Sequence, residues 1–261
     1  MRIQTRSNCF LFLLFFALIL AAYANSFTAS WQLDDKPNIL KNHRIQMSEL
    51  SFHGLMQAAF AKPGSGTLYR PVACISLALN WFIGQDNVLG YHIVNFLIHA
   101  GCAWLLFLTI KLLFETPRLQ GRYTGFQIEL MAAIAVLFWA LNPMQVQAVT
   151  YIVQRMTALA ALFSILALLC YFKARMGFTS LKRMGFLFCS IIAYLMAVLS
   201  KENAAAIVLV IPVVELLFFH RSISSAQFRQ GALLLVIGAG IAVLAGVLLR
   251  PELFDFIVHY Y

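Results

Sequence analysis

Long apolar runs separated by short clusters of lysine and arginine constrain this chain more than any other feature of its sequence. A helix that crosses the hydrocarbon core of a bilayer needs roughly 20 mostly apolar residues, or somewhat fewer where neighbouring protein shields it. Seven runs approach this length, so the sequence predicts about seven transmembrane helices. They lie at residues 9–24, 90–114, 126–141, 156–172, 185–200, 203–219 and 231–249.

Composition supports the same fold class. Hydrophobic residues make up 62% of the chain and charged residues 11%, whereas soluble domains are typically about 45–50% apolar. We therefore expect an all-α polytopic membrane protein surrounded by membrane lipids. The net charge of +9 would also suit nucleic acid, but the basic residues sit between the apolar runs, as the positive-inside rule describes, so we expect no nucleic-acid partner. The five cysteines form no CxxC pair and indicate neither a disulfide framework nor a zinc site.

The basic clusters also predict the orientation of the helices. One cluster precedes the first run, and the others follow the second, fourth and sixth, so all should be cytoplasmic: Arg2 and Arg6; Lys111, Arg118 and Arg122; Lys173, Arg175, Lys182 and Arg183; Arg221 and Arg229. The predicted organisation is a first helix at 1–24, an external loop at 25–89, helices two to seven at 90–249 and an external tail at 250–261. The turn at 142–155 and the corner at 201–202 then join the loop on the outer side.

Two segments leave alternatives open. Residues 1–24 resemble a secretory signal peptide, with Ala22 and Ala24 flanking Tyr23 at an A-x-A site; we expect this segment to be retained as the first helix. The apolar stretch at 71–84 is too short to span comfortably, so we expect a helix lying at the outer interface. With turn formers such as Pro37 and Asn38, this predicts a small structured cap within the first external loop.

Charged residues at the predicted outer ends of the helices form the candidate site. They are Asp34 and Asp35 after the first helix, Arg155, and the adjacent Lys201 and Glu202. Each of the last three could instead be an interfacial anchor that snorkels to the headgroups, and Asp35 could simply begin a turn. Because all five should share one face, we favour a functional site.

This set of charges suits a particular reaction. A carboxylate can accept a proton from an attacking hydroxyl, while nearby cations stabilise the charge that develops on a phosphate leaving group. One base, one or two cations and a groove for a lipid tail would transfer a sugar from a lipid phosphate. The second carboxylate could orient the acceptor, act on its neighbour by like-charge repulsion, or help to hold a divalent cation. Two adjacent acids alone give no firm prediction of a metal site.

Polar residues on the second predicted helix are further candidates. His92, Asn95 and His99 have i, i+3, i+7 spacing and therefore share one face. We expect interhelical hydrogen bonds from Asn95 and His99, with Asn95 also able to line the donor or acceptor site, and we consider a direct substrate role for His92. Arg70 could approach the acceptor or anchor the interfacial helix.

Five stretches, in order along the chain, resemble the membrane half of the tetratricopeptide-repeat-associated O-mannosyltransferase-like proteins. They read "WQLDDKPNIL", "YRPVACISLALNW", "GYHIVNFLIHA", "LNPMQVQAVTYIVQRMTALAALF" and "LSKENAAAIVLVIPVVELLF". These proteins are GT-C glycosyltransferases that use polyprenyl-phosphate sugars. The resemblance implies a GT-C-like helical bundle and an acidic motif in the first external loop that carries the catalytic carboxylate, here Asp34 or Asp35.

The chain also departs from that family pattern. Relatives generally have ten or more membrane helices followed by repeats, whereas this sequence stops at Tyr261, so we expect a fragment, a truncated product or a minimal remnant. The resemblance implies an inverting transferase that moves a sugar from a polyprenyl-phosphate donor to a protein or glycan hydroxyl. A noncatalytic membrane scaffold and a small transporter are the alternatives. The strong basic bias favours a bacterial inner membrane with the active face towards the periplasm.

Overall fold

The computed structural model describes residues 2–61, 69–176 and 179–219, together with residues 233, 237, 238 and 240. Within these residues the chain contains no β-strand, and short 3-10 and π turns link its α-helices. The helices are α1 (Arg2–Tyr23), α2 (Phe52–Ala59), α3 (Pro71–Gly84), α4 (Val88–Phe114), α5 (Gly125–Ala140), α6 (Val146–Thr150), α7 (Arg155–Arg175), α8 (Ser180–Ser200) and α9 (Ile207–Val214). The predicted all-α class is confirmed.

Five helical segments of the described chain are long and apolar enough to cross a membrane. They are Cys9–Thr28, Val88–Phe114, Ile152–Arg175, Ser180–Ser200 and Glu202–Phe219. A sixth span results if Gly125–Ala140 and Pro143–Thr150 count as one bent segment. The predicted count of seven is therefore not confirmed. The seventh predicted helix, at 231–249, lies almost entirely outside the described residues, and the tail at 250–261 lies wholly outside them.

A bend separates α5, which corresponds to the third predicted helix, from α6 in the region predicted as a turn. The two helical segments meet at 53°. Asn142 is extended and its side chain accepts the N–H of Met144, which caps a 3-10 turn that starts at Pro143. Proline fits the first turn of a helix but cannot donate a backbone hydrogen bond inside one. The region 142–155, predicted as a simple turn, instead holds two 3-10 turns and α6.

Aromatic side chains build the core where α1, α4 and α5 meet. Phe15 packs edge-to-face on Phe107 with ring centroids 5.4 Å apart, and Phe16 packs in the same way on Phe96 at 5.0 Å. Edge-to-face pairs of this kind add about 0.5–1.5 kcal/mol beyond the area that they bury. Elsewhere α7 packs closely on α8, and the contact uses small residues such as Ala160 and Ala197, which let membrane helices approach each other.

The loop at 25–89, predicted to be external, contributes to a hydrophobic core. Ile39, Ile45 and Met47 are buried against Leu77 of α3 and Tyr91 of α4. The loop is thus fastened to the bundle by apolar contacts. α3 forms over the predicted residues 71–84, and its position relative to a membrane surface stays a prediction.

Ion pairs lie at the opposite end of the bundle from this loop. Lys111 of α4 pairs with Glu129 of α5 at 2.8 Å, and Arg175 of α7 pairs with Glu215. The Tyr171 hydroxyl also donates to Glu215 at 2.6 Å. Two residues of the predicted cytoplasmic clusters therefore have acidic partners, as charged groups near membrane depth generally do.

Candidate active site

The two adjacent aspartates have opposite environments. Asp35 is buried, and both of its carboxylate oxygens accept backbone N–H groups, from Gln32 at 3.0 Å and from Val153 at 2.8 Å. Burial raises the pKa of Asp35, with a smaller contribution from Asp34, while the two N–H groups and His92 oppose the rise. Asp35 therefore ties the loop to the segment just before α7.

The Asp34 side chain is exposed, while its backbone is fixed. The Asp34 N–H donates to the hydroxyl of Tyr151 at 2.8 Å, and the Asp34 carbonyl accepts from the side-chain amide of Asn38 at 2.6 Å. A solvent-facing carboxylate on an immobilised backbone can receive a proton from an incoming group. Of the two predicted catalytic residues, Asp34 is the one with this access.

Arg155 is fully buried, and its guanidinium joins three helices. Nε donates to Asn95 Oδ1 at 2.7 Å, one Nη donates to the Ser76 carbonyl at 3.0 Å, and the other donates to the Tyr91 carbonyl at 3.0 Å. The guanidinium also lies over the Tyr91 ring, 5.5 Å from its centroid. With these donors occupied, Arg155 has no group open to a phosphate in this conformation, so the geometry suits positioning better than the predicted ligand contact.

The polar face of α4 packs inwards. Asn95 donates weakly to the Ile152 carbonyl at 3.4 Å, and a ring nitrogen of His99 lies 2.9 Å from the Ala140 carbonyl. These are the interhelical hydrogen bonds that the sequence predicted. His92 is buried, with Nε2 3.0 Å from the Ala29 carbonyl and no partner at Nδ1. It thus holds the start of the loop that follows α1, and a substrate would need that contact to open.

Lys201 lies half-buried at the corner between α8 and the following 3-10 turn. Its ammonium donates to Thr157 Oγ1 at 2.7 Å and, more weakly, to Gln154 Oε1 at 3.4 Å. Burial lowers the pKa of Lys201; nearby Arg70 lowers it further, and Glu202 opposes this. Lys201 therefore contacts the segment around the start of α7. The same segment binds the acidic loop through Val153.

Arg70 and Glu202 form an ion pair next to this corner. Arg70 Nε and Nη2 donate to the two oxygens of Glu202 at 3.1 and 3.0 Å. Bidentate pairs of this kind are stronger and more directional than single contacts. The pair joins the N-terminus of α3 to the corner between α8 and α9, and with Lys201 it leaves one net positive charge there.

A cavity of about 330 Å³ begins beside this lysine. Thr157, which accepts from Lys201, lies in its wall, and the rest of the wall comes from α7, the 3-10 turn after Lys201 and α9. Most of the lining is apolar, with four alanines: Ala160, Ala161, Ala204 and Ala206. Ile207, Val210, Ser164 and Asn203 also line the cavity. A cavity of this kind can accept an apolar chain whose charged head remains at the lysine.

The structure thus brings the predicted residues to one end of the bundle, around the segment from Tyr151 to Thr157. Sequence reasoning missed Tyr151, Gln154 and Thr157, which carry no charge. Their signal was their location in or next to the predicted outer turn at 142–155. In the described part of the chain, no group of three His, Cys, Asp or Glu side chains could hold a metal ion.

Fold and site together define a polytopic helical membrane protein with an acidic loop and a basic corner at one end. Human protein O-mannosyl-transferase TMTC2 is 31% identical over 211 residues, which are 78% of this chain and 24% of the relative. Drosophila melanogaster Tmtc1 is 29% identical over 192 residues, or 72% of this chain and 20% of the relative. The chain is therefore a homologue of the TMTC protein O-mannosyl-transferases, the GT-C family that its motifs resemble.

The similarity covers much of this chain but little of each relative. Xenopus laevis protein O-mannosyl-transferase tmtc2 is 28% identical over 243 residues, which are 89% of this chain and 28% of the relative. The chain thus spans about a quarter of the length of these curated relatives. No protein-family model and no solved structure matches it.

Proposed function

We propose that this chain forms the membrane site of a glycosyltransferase that moves mannose from a polyprenyl phosphate to a hydroxyl of a protein. The sugar and the acceptor follow from the names of the relatives, which are protein O-mannosyl-transferases. One observation carries the proposal. Asp34 has an exposed carboxylate, and its backbone N–H bonds to Tyr151, in the same segment that Lys201 reaches beside an apolar cavity.

The transfer is a single displacement. The acceptor hydroxyl oxygen attacks the anomeric carbon of the sugar, and its proton passes to the Asp34 carboxylate. The bond from that carbon to the phosphate oxygen breaks, and its electron pair leaves with the polyprenyl phosphate. The charge that develops on the phosphate is stabilised by Lys201. No acid is needed to protonate the leaving group, and attack from the opposite side inverts the anomeric centre.

The other candidate residues support this chemistry indirectly. Arg70 contributes positive charge near the phosphate while Glu202 holds its orientation. Asp35 and Arg155 position the acidic loop and the start of α7. His92 and Asn95 hold the loop and the turn from α4. The isoprenoid chain of the donor would lie in the cavity between α7 and α9.

We further propose that the site faces a noncytoplasmic compartment. Residues 1–24 would be a retained first helix, 25–89 the external loop, 90–249 the remaining membrane helices and 250–261 an external tail. The relatives named above are animal proteins, and they give no support to the expected bacterial inner membrane.

A transfer assay tests the proposal. The chain is purified into lipid nanodiscs and given a polyprenyl-phosphate mannose and a peptide containing serine and threonine. Asp34→Asn keeps the shape of the side chain but removes the proton acceptor, so transfer should fall by about 100-fold or more, the usual scale for losing a general base. Asp86→Asn is the matched control, because Asp86 is another exposed aspartate of the same loop.

The outcomes separate the hypotheses. Transfer by the wild type and by Asp86→Asn, with loss in Asp34→Asn, supports the proposal. Near-normal transfer by Asp34→Asn would remove Asp34 from the mechanism. Absence of transfer by the folded wild type would favour a noncatalytic membrane scaffold instead.

A further inference from the structure

We infer that Tyr151 is a positioning residue for Asp34, whose carboxylate it orients by donating its hydroxyl hydrogen. The inference rests on the proposed function of Asp34 as the base. It assigns a role to an uncharged residue of the broken region between α6 and α7.

The backbone of Tyr151 is held outside the helices on either side. The residue is extended, with φ −89° and ψ 112°, between the end of α6 and the 3-10 turn Ile152–Gln154. Its N–H donates to the Gln147 carbonyl at 3.3 Å, and its carbonyl accepts the N–H of Gln154 at 3.0 Å. Asn95 adds a weak contact to the same carbonyl at 3.5 Å. These contacts fix where the ring starts and which way it extends.

The hydroxyl of Tyr151 contacts the acidic loop at Asp34, whose side chain is exposed. It accepts the Asp34 N–H at 2.8 Å, and this leaves its own hydrogen available. Both oxygens of Asp35 are already occupied by backbone N–H groups. Within the acidic pair, the carboxylate of Asp34 is therefore the acceptor that remains for this hydrogen.

The protonation state of Tyr151 agrees with a donor role. Burial raises the pKa of Tyr151, and the negative charges of Asp34 and Asp35 add to the rise, while the Asp34 N–H opposes it. The phenol therefore keeps its proton at neutral pH. The 2.8 Å contact from the Asp34 N–H places this hydroxyl beside the residue that carries the exposed carboxylate.

This arrangement predicts which kinetic constant depends on Tyr151. The hydroxyl orients the base, whereas the donor phosphate would bind at Lys201, whose ammonium contacts Gln154 and Thr157 rather than Tyr151. Loss of the hydroxyl should lower kcat and leave the KM for the lipid donor nearly unchanged. Misplacing a catalytic group by about 1 Å can cost roughly 100-fold, so a loss of about 10- to 100-fold is expected.

A double-mutant cycle tests the inference. Tyr151→Phe, Asp34→Asn and the double variant are compared in the mannose-transfer assay, with kcat given per folded molecule. Tyr123→Phe is the control, because Tyr123 is an exposed tyrosine at the other end of the bundle, with its ring against Phe114. If Tyr151 acts through Asp34, Tyr151→Phe should lower kcat in the wild-type background and have less than a twofold effect in the Asp34→Asn background.

The arms of the cycle distinguish this inference from the proposed function. If Asp34→Asn is inactive while Tyr151→Phe and Tyr123→Phe both resemble wild type, the role of Tyr151 is refuted and the base is retained. Equal fractional losses in both backgrounds, or a smaller folded yield with unchanged kcat, would also refute it. Full activity of Asp34→Asn would overturn the proposed function itself.

Discussion

Neighbouring side chains of the same type do different work in this molecule because of where their partners lie. Asp35 is buried and accepts a hydrogen bond from the N–H of Val153, which is 118 positions away in sequence. Its neighbour Asp34 faces solvent. The sequence predicted that the pair would reach the outer face with Arg155 and Lys201. Which carboxylate remains open depends on the path of the chain around residue 153, and a local pattern cannot supply that. The same holds for Tyr151, whose importance rests on a contact across 117 positions.

Lys201 provides a test at the scale of a single charge. Burial lowers its pKa below the ordinary lysine value, so the ammonium loses its proton at a lower pH than an exposed lysine would. If this cation binds the donor phosphate, donor affinity should be complete below that pH and should weaken as the pH rises through it. We expect the KM for the lipid donor to increase at a pH below the ordinary lysine pKa of about 10.4.

Arginine at position 201 should move this alkaline rise, because a guanidinium stays charged at higher pH. Lys201→Arg should therefore keep a low KM for the donor at a pH where the wild type has lost affinity. Lys182→Arg, an exposed exchange at the opposite end of the bundle, should match the wild type. A KM that rises at the same pH in all three proteins would exclude Lys201 as the titrating group.

Among the elements, the segment from Tyr151 to Thr157, which leads into α7, organises the site. Arg155 joins α7 to α3 through Ser76 and to α4 through Tyr91 and Asn95. Hydropathy predicted this helix to begin at Met156, whereas the apolar span begins at Ile152. A sliding count of apolar residues excludes arginine. It cannot recognise that each guanidinium nitrogen of Arg155 donates a hydrogen bond inside the protein.

Removing the hydrogen bonds of Arg155, which form a clamp between α3, α4 and α7, should lower the free energy of unfolding. Arg155→Met keeps much of the volume but leaves the Asn95 oxygen and the Ser76 and Tyr91 carbonyls without their donor. A buried hydrogen-bond acceptor that loses its donor typically costs about 1–3 kcal/mol. We expect a clear fall in Tm by thermal unfolding in detergent, and a smaller folded yield.

An exposed arginine supplies the control for the clamp. Arg183→Met removes the same charge at the start of α8, where the side chain is exposed, and should leave Tm unchanged. If Arg155→Met were as stable as Arg183→Met, the hydrogen-bonded clamp would contribute nothing to the fold.

At the scale of the whole molecule, apolar runs and basic clusters predicted most of the architecture. Six of the seven predicted helices fall on the candidate spans, counting the bent pair of α5 and α6 as one. The break itself escaped prediction because Pro143 and its Asn142 cap looked like the end of a helix rather than an interruption. The structured loop was predicted from its turn formers, but its packing on α4 depends on Ile39 and Tyr91 meeting in three dimensions.

The central claim is that residues far apart in sequence form one noncytoplasmic face, and cysteine labelling in intact membranes tests it most directly. Single cysteines are placed on a cysteine-free background. At the end of the bundle that holds the candidate site they replace Asp34, Met144 or Asn203, all exposed. At the opposite end they replace the exposed Arg122 or Leu181. With the cytoplasmic side sealed, an impermeant maleimide should label the first three positions, and Arg122→Cys and Leu181→Cys only after permeabilisation. Labelling of Asp34→Cys with protection of Asn203→Cys, or the reverse, would contradict the shared face and the site built on it.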